Sequence, residues 1–404
     1  MSKAHAVPPP WRERAEGSLP ATIAALVGEV ENLGGEAWIA GPGLYRLIAG
    51  KPAVAWEVHT NARPTALLER WPRAVVTAPG AARITLCDAS APVDLLTFTD
   101  PAAIEAYAAR RTFSLDSLGL RPTTGDWRVT VRAAQDIAAR QLGPGPEAAA
   151  AFGRDPLEIL RAAHRVAELD LEAADDLREL LEAAAPALDS SPAFEVRVQL
   201  RALLGLSSPL RGISLLREIG AEALWLPNAQ AAAGAWIEKL PPHEALRFAA
   251  WLRGTPAESI LSRLRFGRDF RLPVQRLLRD HPLESLVAAP SIRLPRGFDL
   301  AHLEALSTLR QAEIESKESA SLAEREAFES ATRQLREALR QRDEPGIELA
   351  LDGAAVMHQL ACGPGPEVGR ALRFLERCVR DDPTCNEAAT LGDRLALWAR
   401  EQAE

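Results

Sequence analysis

Lysine is almost missing from this chain. It occurs only at Lys3, Lys51, Lys239 and Lys317 among 47 basic residues, so nearly every cation is an arginine. With a bias of that size, a lone arginine is weak evidence for a site. Aromatic residues make up 5% of the 404 positions. Alanine and leucine dominate instead, which favours helices. The four cysteines, Cys87, Cys362, Cys378 and Cys385, show neither CxxC spacing nor a companion histidine cluster. They read as reduced structural thiols in a cytoplasmic protein. No apolar run approaches the roughly 18–20 residues needed to span a membrane. The start, MSKAHAVPPPWRERAEG, lacks the apolar stretch of a secretory signal and reads as a flexible leader.

What is present is enough apolar material, 47% of the chain, for two or more packed units. The formal net charge of −8 argues against indiscriminate nucleic-acid binding but allows a local basic face. An amphipathic helix is expected over residues 20–33, on Ile23, Leu26, Val27, Val30 and Leu33. Ala37–Ala40 reads as a buried strand, broken by Gly41-Pro42-Gly43, with a short helix over Leu44–Ala49 and a second strand over Ala55–Val58. A helix over Pro64–Trp71, strands at Ala74–Thr77, Arg83–Cys87 and Val93–Phe98, and a helix from Pro101 complete an α/β start. From Pro146 onward proline-punctuated helices follow, beginning with Ala148–Leu169 and Leu171–Ala184. A long charged helix is expected over Asp299–Arg342, with a break near Ser316–Ser321. Its dense Glu and Arg from Glu313 onward read as a solvated face.

The stretch Gly34–Asn61 has the frame of a nucleotide-binding βα unit. Here the chain resembles the class II tRNA nucleotidyltransferases (CCA-adding enzymes) and bacterial poly(A) polymerases, whose head reads GGxVRDxLLGR…DxDxATxA. Gly41-Pro42 stands at the Gly-Gly, Tyr45-Arg46 at the Arg-Asp, Ala55 and Glu57 at the two aspartates, and Thr60-Asn61-Ala62 at the end of the motif. Arg110-Arg111-Thr112-Phe113-Ser114-Leu115-Asp116 is similar to RRDFTIN, and Phe152–Ala162 to FxEDPLRxLRA. Pro209-Leu210-Arg211-Gly212 with Leu215–Gly220 looks like the neck–body junction, and Asp352-Gly353 with Gly363–Gly369 looks like a tail segment DGxDLM…PPGPxIG. The resemblance implies an α+β protein, with a nucleotidyltransferase-like mixed-sheet head followed by an elongated all-α neck, body and tail. The boundaries expected are leader 1–17, head 18–146, neck 147–212, body 213–290 and tail 291–404.

It also implies a site. Nucleotidyl transfer uses two Mg²⁺ ions on converging carboxylates. In this chain Ala55 cannot bind a metal, Glu57 keeps a carboxylate on a longer arm, and Asp94 stands where the third acid belongs. Glu57 and Asp94 are thus the residual catalytic and metal-binding candidates. Gly41, Gly43, Arg110, Arg111, Asp155 and Arg161 are the nucleotide-binding ones. Pro42 removes an N–H donor from the loop, Thr112 replaces an aspartate, and Thr99 replaces an arginine. In the neck the family reads the base edge with an Asp and an Arg one turn apart, whereas the partner of Asp155 is Glu158. His59 and His164 have no evident partner and read as structural. The implied activity is lost or impaired transfer, with Mg²⁺ and ATP or CTP needed only if the head is active. The alternatives are a working enzyme adding CMP or AMP to tRNA 3′-ends and a non-catalytic interaction scaffold.

One stretch keeps a feature RNA would need. Between Arg247 and Arg279 lie eight arginines and two acids, Glu258 and Asp269, interleaved with Phe248, Trp251, Phe266 and Phe270. Arg263, Arg265, Arg268 and Arg271 are the expected contacts to a tRNA-like backbone. The competing expectation pairs these arginines with Glu313, Glu315 and Glu318.

Overall fold

The computed structural model describes residues 9–53, 55–78, 83–86, 92–230, 233–287, 292, 294–317, 320–343 and 349–401. Two compact units result. One comprises residues 1–290 and 301–332, the other 291–300 and 333–404. The first unit begins with a seven-stranded mixed sheet and continues as helices, the α+β architecture expected.

The strands are β1 (Ala37–Ala40), β2 (Trp56–Thr60), β3 (Val75–Ala78), β4 (Arg83–Leu86), β5 (Val93–Thr97), β6 (Gly119–Arg121) and β7 (Asp126–Arg128). Their order across the sheet is β3-β4-β5-β2-β1-β6-β7, and β2 and β5 run parallel at its centre. The first five follow the sequence reading to within a residue or two; Cys87 lies outside the described residues. The hairpin β6–β7 was not anticipated. Its strands are three residues long, too short for alternation to show.

Two helix boundaries differ from expectation. Gly41-Pro42-Gly43 is not a loop before the helix but its first turn, the helix running Gly41–Ile48. Proline lacks a donor that the first turn leaves unpaired anyway. Ala148–Leu169 is two helices, Ala148–Arg154 and Glu158–Leu169. Pro156 disfavours the helical conformation at Asp155, and the Asp155 carboxylate then accepts the Leu157 N–H at 3.1 Å. A two-strand pair, Gln141–Leu142 with Glu172–Ala173, interrupts the all-helical region expected after Pro146.

In the helical part of this unit Phe248, Trp251 and Phe266 are buried, with Phe266 stacked on Phe270 at 4.3 Å. The long charged helix does break as expected, into Leu300–Ser316 and Leu322–Asp343. Its start is not a solvated face. Glu313 is buried and accepts from Arg310 at 2.7 Å, with His281 at 3.3 Å. The second unit has its own core of Leu351, Val356, Ala371, Leu375, Leu391 and Leu395, under the helices Gly353–Leu360, Pro366–Asp381 and Ala388–Glu401.

Candidate functional site

The head's chemistry converges on β2. Glu57 and Asp94 are register partners across the parallel pair β2–β5, so both carboxylates rise from the same face of the sheet. The structure brings these two sequence-chosen acids together. It also gives each of them a partner from the protein.

Asp94 Oδ1 accepts a hydrogen bond from Thr85 on β4 at 2.6 Å. Glu57 Oε1 lies 2.6 Å from His59 Nε2 and 3.7 Å from the Arg111 guanidinium. Its other oxygen, Oε2, faces the first turn of Gly41–Ile48, where a Cβ on Gly41 would lie 3.2 Å away. A carboxylate there is favoured by the positive end of the helix. Gly43 serves packing: a Cβ would sit 2.6 Å from the Trp56 ring and 2.8 Å from the Ala55 carbonyl.

His59 is the site residue that sequence reasoning missed. Strand periodicity puts residues 57 and 59 on one face, which was the available signal. The ring is fully buried against Phe98 and Tyr107. Burial lowers its pKa, an effect the bonded Glu57 opposes, so the imidazole is neutral. Its Nδ1 faces the Arg128 guanidinium at 3.3 Å, which leaves Nε2–H to donate to Glu57.

Arg110 and Arg111 part company. Arg110 is exposed and bonds only its own helix, at Ala106. Arg111 turns inward, with Glu57 on one side, Asp116 at 4.0 Å on another, and the Tyr107 hydroxyl accepting from its Nη1. Burial works against its charge, yet Asp116 and Glu57 outweigh that and raise its pKa. Asp116 is 3% exposed and accepts from Arg165 at 2.8 and 2.9 Å. Arg165, from the helix Glu158–Leu169, stacks 4.5 Å over Phe113 and 5.4 Å over Tyr45. Burial pushes the Tyr45 hydroxyl up to about 12.

On the helix Glu158–Leu169, Arg161 Nη1 is held by Asp155 and Glu158, each at 2.7 Å. The two candidates Asp155 and Arg161 are therefore joined to each other, and Glu158 shares the same guanidinium. His164 is half-buried, and burial, with Arg165 and Arg46 nearby, lowers its pKa to about 4.

These donors do not fit a Mg²⁺ ion, which takes octahedral oxygen ligands. One ligand position is Ala55, Asp94 Oδ1 is already an acceptor, and Glu57 Oε1 faces a guanidinium and an N–H. Among the described residues no group of three or more His, Cys, Asp or Glu is placed to hold a metal.

The arginine-rich stretch is divided. Arg247 is fully buried. Arg263 pairs with Asp189 at 2.5 Å, donates to the Leu224 carbonyl at 2.7 Å and stacks 3.9 Å over Trp225. Its acid is thus Asp189 and not the Glu313–Glu318 group; of the neighbouring arginines it is Arg253 that approaches Glu313, at 3.9 Å. Arg265 and Arg268 are exposed, and Arg271 is half-buried. Glu318 lies outside the described residues.

The second unit holds a larger basic feature that the sequence reading passed over. A cavity of about 1230 Å³ is lined by five arginines, Arg333, Arg342, Arg370, Arg373 and Arg377, against two acids, Glu337 and Glu376, with Trp398 as an apolar wall. The residues 370, 373 and 377 share a face of Pro366–Asp381, a spacing visible in the sequence. Among the described residues, Arg333, Arg370, Arg373 and Arg377 have no ion-pair partner.

A mixed-sheet head carrying paired strand carboxylates, continued by helices, defines a nucleotidyltransferase-like fold. No protein-family model matches the sequence. The chain is 23% identical over 400 residues to the CCA-adding enzyme of Geobacillus stearothermophilus, covering 93% of this chain and 96% of that protein. The fold matches the crystal structure of the Bacillus stearothermophilus CCA-adding enzyme in complex with CTP, with a TM-score of 0.63, 18% identity, and 98% and 99% of the two chains covered. It also matches the Thermotoga maritima CCA-adding enzyme complexed with tRNA, at a TM-score of 0.59 and 14% identity, with the same coverage. The likeness over nearly the whole of both chains shows that this chain has the fold of the CCA-adding enzymes. No described helix is long and apolar enough to cross a membrane.

Proposed function

We propose that this chain is a member of the tRNA nucleotidyltransferase family that binds a tRNA-like RNA and has lost nucleotidyl transfer. Glu57 carries the reading. It is the one carboxylate left in the DxD frame, and it is bonded to His59 and paired with Arg111 instead of being open to a metal. Ala55 and the Asp155–Arg161–Glu158 cluster support the same conclusion. The organisation into head, neck, body and tail, at 18–146, 147–212, 213–290 and 291–404, belongs to this proposal; of the expected leader 1–17, residues 9–17 lie instead in the helix Pro9–Ser18, where Ala15 is fully buried and Glu16 accepts from Trp127.

Purified protein incubated with tRNA lacking its CCA end, labelled ATP or CTP, and Mg²⁺ or Mn²⁺ is expected to give no incorporation. Incorporation would overturn the proposal in favour of a working enzyme using Glu57 and Asp94. The double variant Ala55→Asp/Glu57→Asp is expected to remain inactive, because Arg161 stays tied to two acids. Recovered transfer in that variant would locate the whole loss in the metal site.

For RNA, the unpaired arginines of the second unit support a phosphate-binding surface. Replacing Arg370, Arg373 and Arg377 with glutamine is expected to lower the log–log salt slope of tRNA binding by up to about three times 0.7–0.9. Arg263→Gln should leave the slope unchanged, because that side chain already serves Asp189 and Leu224. A filter-binding salt series decides. Absence of any tRNA binding by wild type would leave the interaction-scaffold reading.

A further inference from the structure

Two carboxylates from separate segments, Glu57 on β2 and Asp116 after Phe113, meet at one guanidinium. We propose that Arg111 is a built-in cation that neutralises both Glu57 and Asp116, and that it closes the head to divalent ions. This inference rests on the reading above that the head performs no transfer.

The local charges support it. Glu57 and Asp116 are both poorly exposed, at 15% and 3% of their side chains. Two acids so little exposed need positive charge beside them. Arg111 supplies it, and Arg165 also pairs with Asp116, at 2.8 Å. Arg111 is fixed in place by Tyr107, whose hydroxyl accepts its hydrogen bond and whose ring lies 5.1 Å below the guanidinium. Two carboxylates and two guanidiniums thus balance, and the neutral His59 uses its N–H on Glu57. Arg128, beyond His59, adds further positive charge to the same region. An entering divalent ion would have to displace Arg111 and strand its charge in a site already holding Arg165.

The test compares wild type, Arg111→Lys and Arg111→Ala, each with and without Glu57→Gln, for Mn²⁺ binding by electron paramagnetic resonance and for melting temperature. Wild type and Arg111→Lys are expected to show no Mn²⁺ binding that depends on Glu57. Arg111→Ala is expected to melt lower than wild type, and millimolar Mn²⁺ should raise it again by about 2–4 °C. That recovery should vanish when Glu57→Gln is added. Glu57-dependent Mn²⁺ binding by wild type would overturn the proposal, as would a folded Arg111→Ala that gains nothing from Mn²⁺. Should Arg111→Ala not fold, Arg111→Gln takes its place, and the wild-type measurement decides by itself. Nucleotide incorporation by wild type would sink the functional reading; Glu57-dependent Mn²⁺ binding without incorporation would sink this one alone.

Discussion

Replacing Arg247 with leucine is expected to lower the free energy of unfolding by about 4–5 kcal/mol, an exceptional loss for one substitution. Arg247 is 1% exposed, and among the described residues it forms no ion pair, with Glu238 the one carboxylate whose charge favours its own. Its guanidinium donates to the carbonyls of Leu204, Leu206, Ser207 and Leu240. Leu204 ends the helix Ala193–Leu204, and Leu240 follows the helix Ala233–Lys239. One side chain therefore caps two helix C-termini, where unpaired carbonyls and the negative end of the dipole favour a cation. Burial lowers its pKa, and the carbonyls compensate for the lost water. Each buried carbonyl left without a donor costs about 1–3 kcal/mol, and such costs do not simply add. Arg247→Lys keeps the charge with fewer donors and should lose about half as much. Urea unfolding of the two variants checks this. A loss under about 1 kcal/mol for leucine would mean that water satisfies those carbonyls.

The second large effect is expected at Arg165. Its removal leaves Asp116 buried, with Arg111 at 4.0 Å as its remaining ion-pair partner among the described residues. Breaking a buried pair from one side costs about 3–5 kcal/mol, because the remaining charge is uncompensated. Arg165→Met is expected to fall in that range. The double variant Asp116→Asn/Arg165→Met should be less destabilised than the sum of the two singles by about 2 kcal/mol or more. Additive losses in that cycle would show that Arg165 acts through its stacking on Phe113 and Tyr45 and not through its charge. The pair joins the helix Glu158–Leu169 to the segment Ser114–Ser117, so its loss should also speed amide exchange between the two.

Much of the fold was legible in order along the chain. Ile23, Val27 and Val30 repeat at helical spacing and are buried; Ala37–Ala40 and Val93–Thr97 are apolar runs bounded by turn residues and are strands. Such signals are local: each rests on a few neighbours and survives without knowledge of the rest. The same holds for the placing of Glu57 and Asp94 as acids on adjacent strands, since the motif frame sets strand and register together.

What the chain alone could not reveal is which charges meet. The sequence shows Arg111, Arg165, Arg247 and Arg263 as equal members of an arginine-rich population. Only tertiary packing assigns Arg111 to Glu57, Arg165 to Asp116, Arg247 to four carbonyls and Arg263 to Asp189. Those partners lie between 40 and 74 residues away for all but the Leu240 carbonyl. A helix period or strand alternation reports burial of a face, and it carries no information about a partner on a distant element. The amino acids therefore determined that Glu57 and Asp94 stand on adjacent strands. The tertiary structure decided that Glu57 lies against His59 and Arg111, residues that local patterning does not connect as a group.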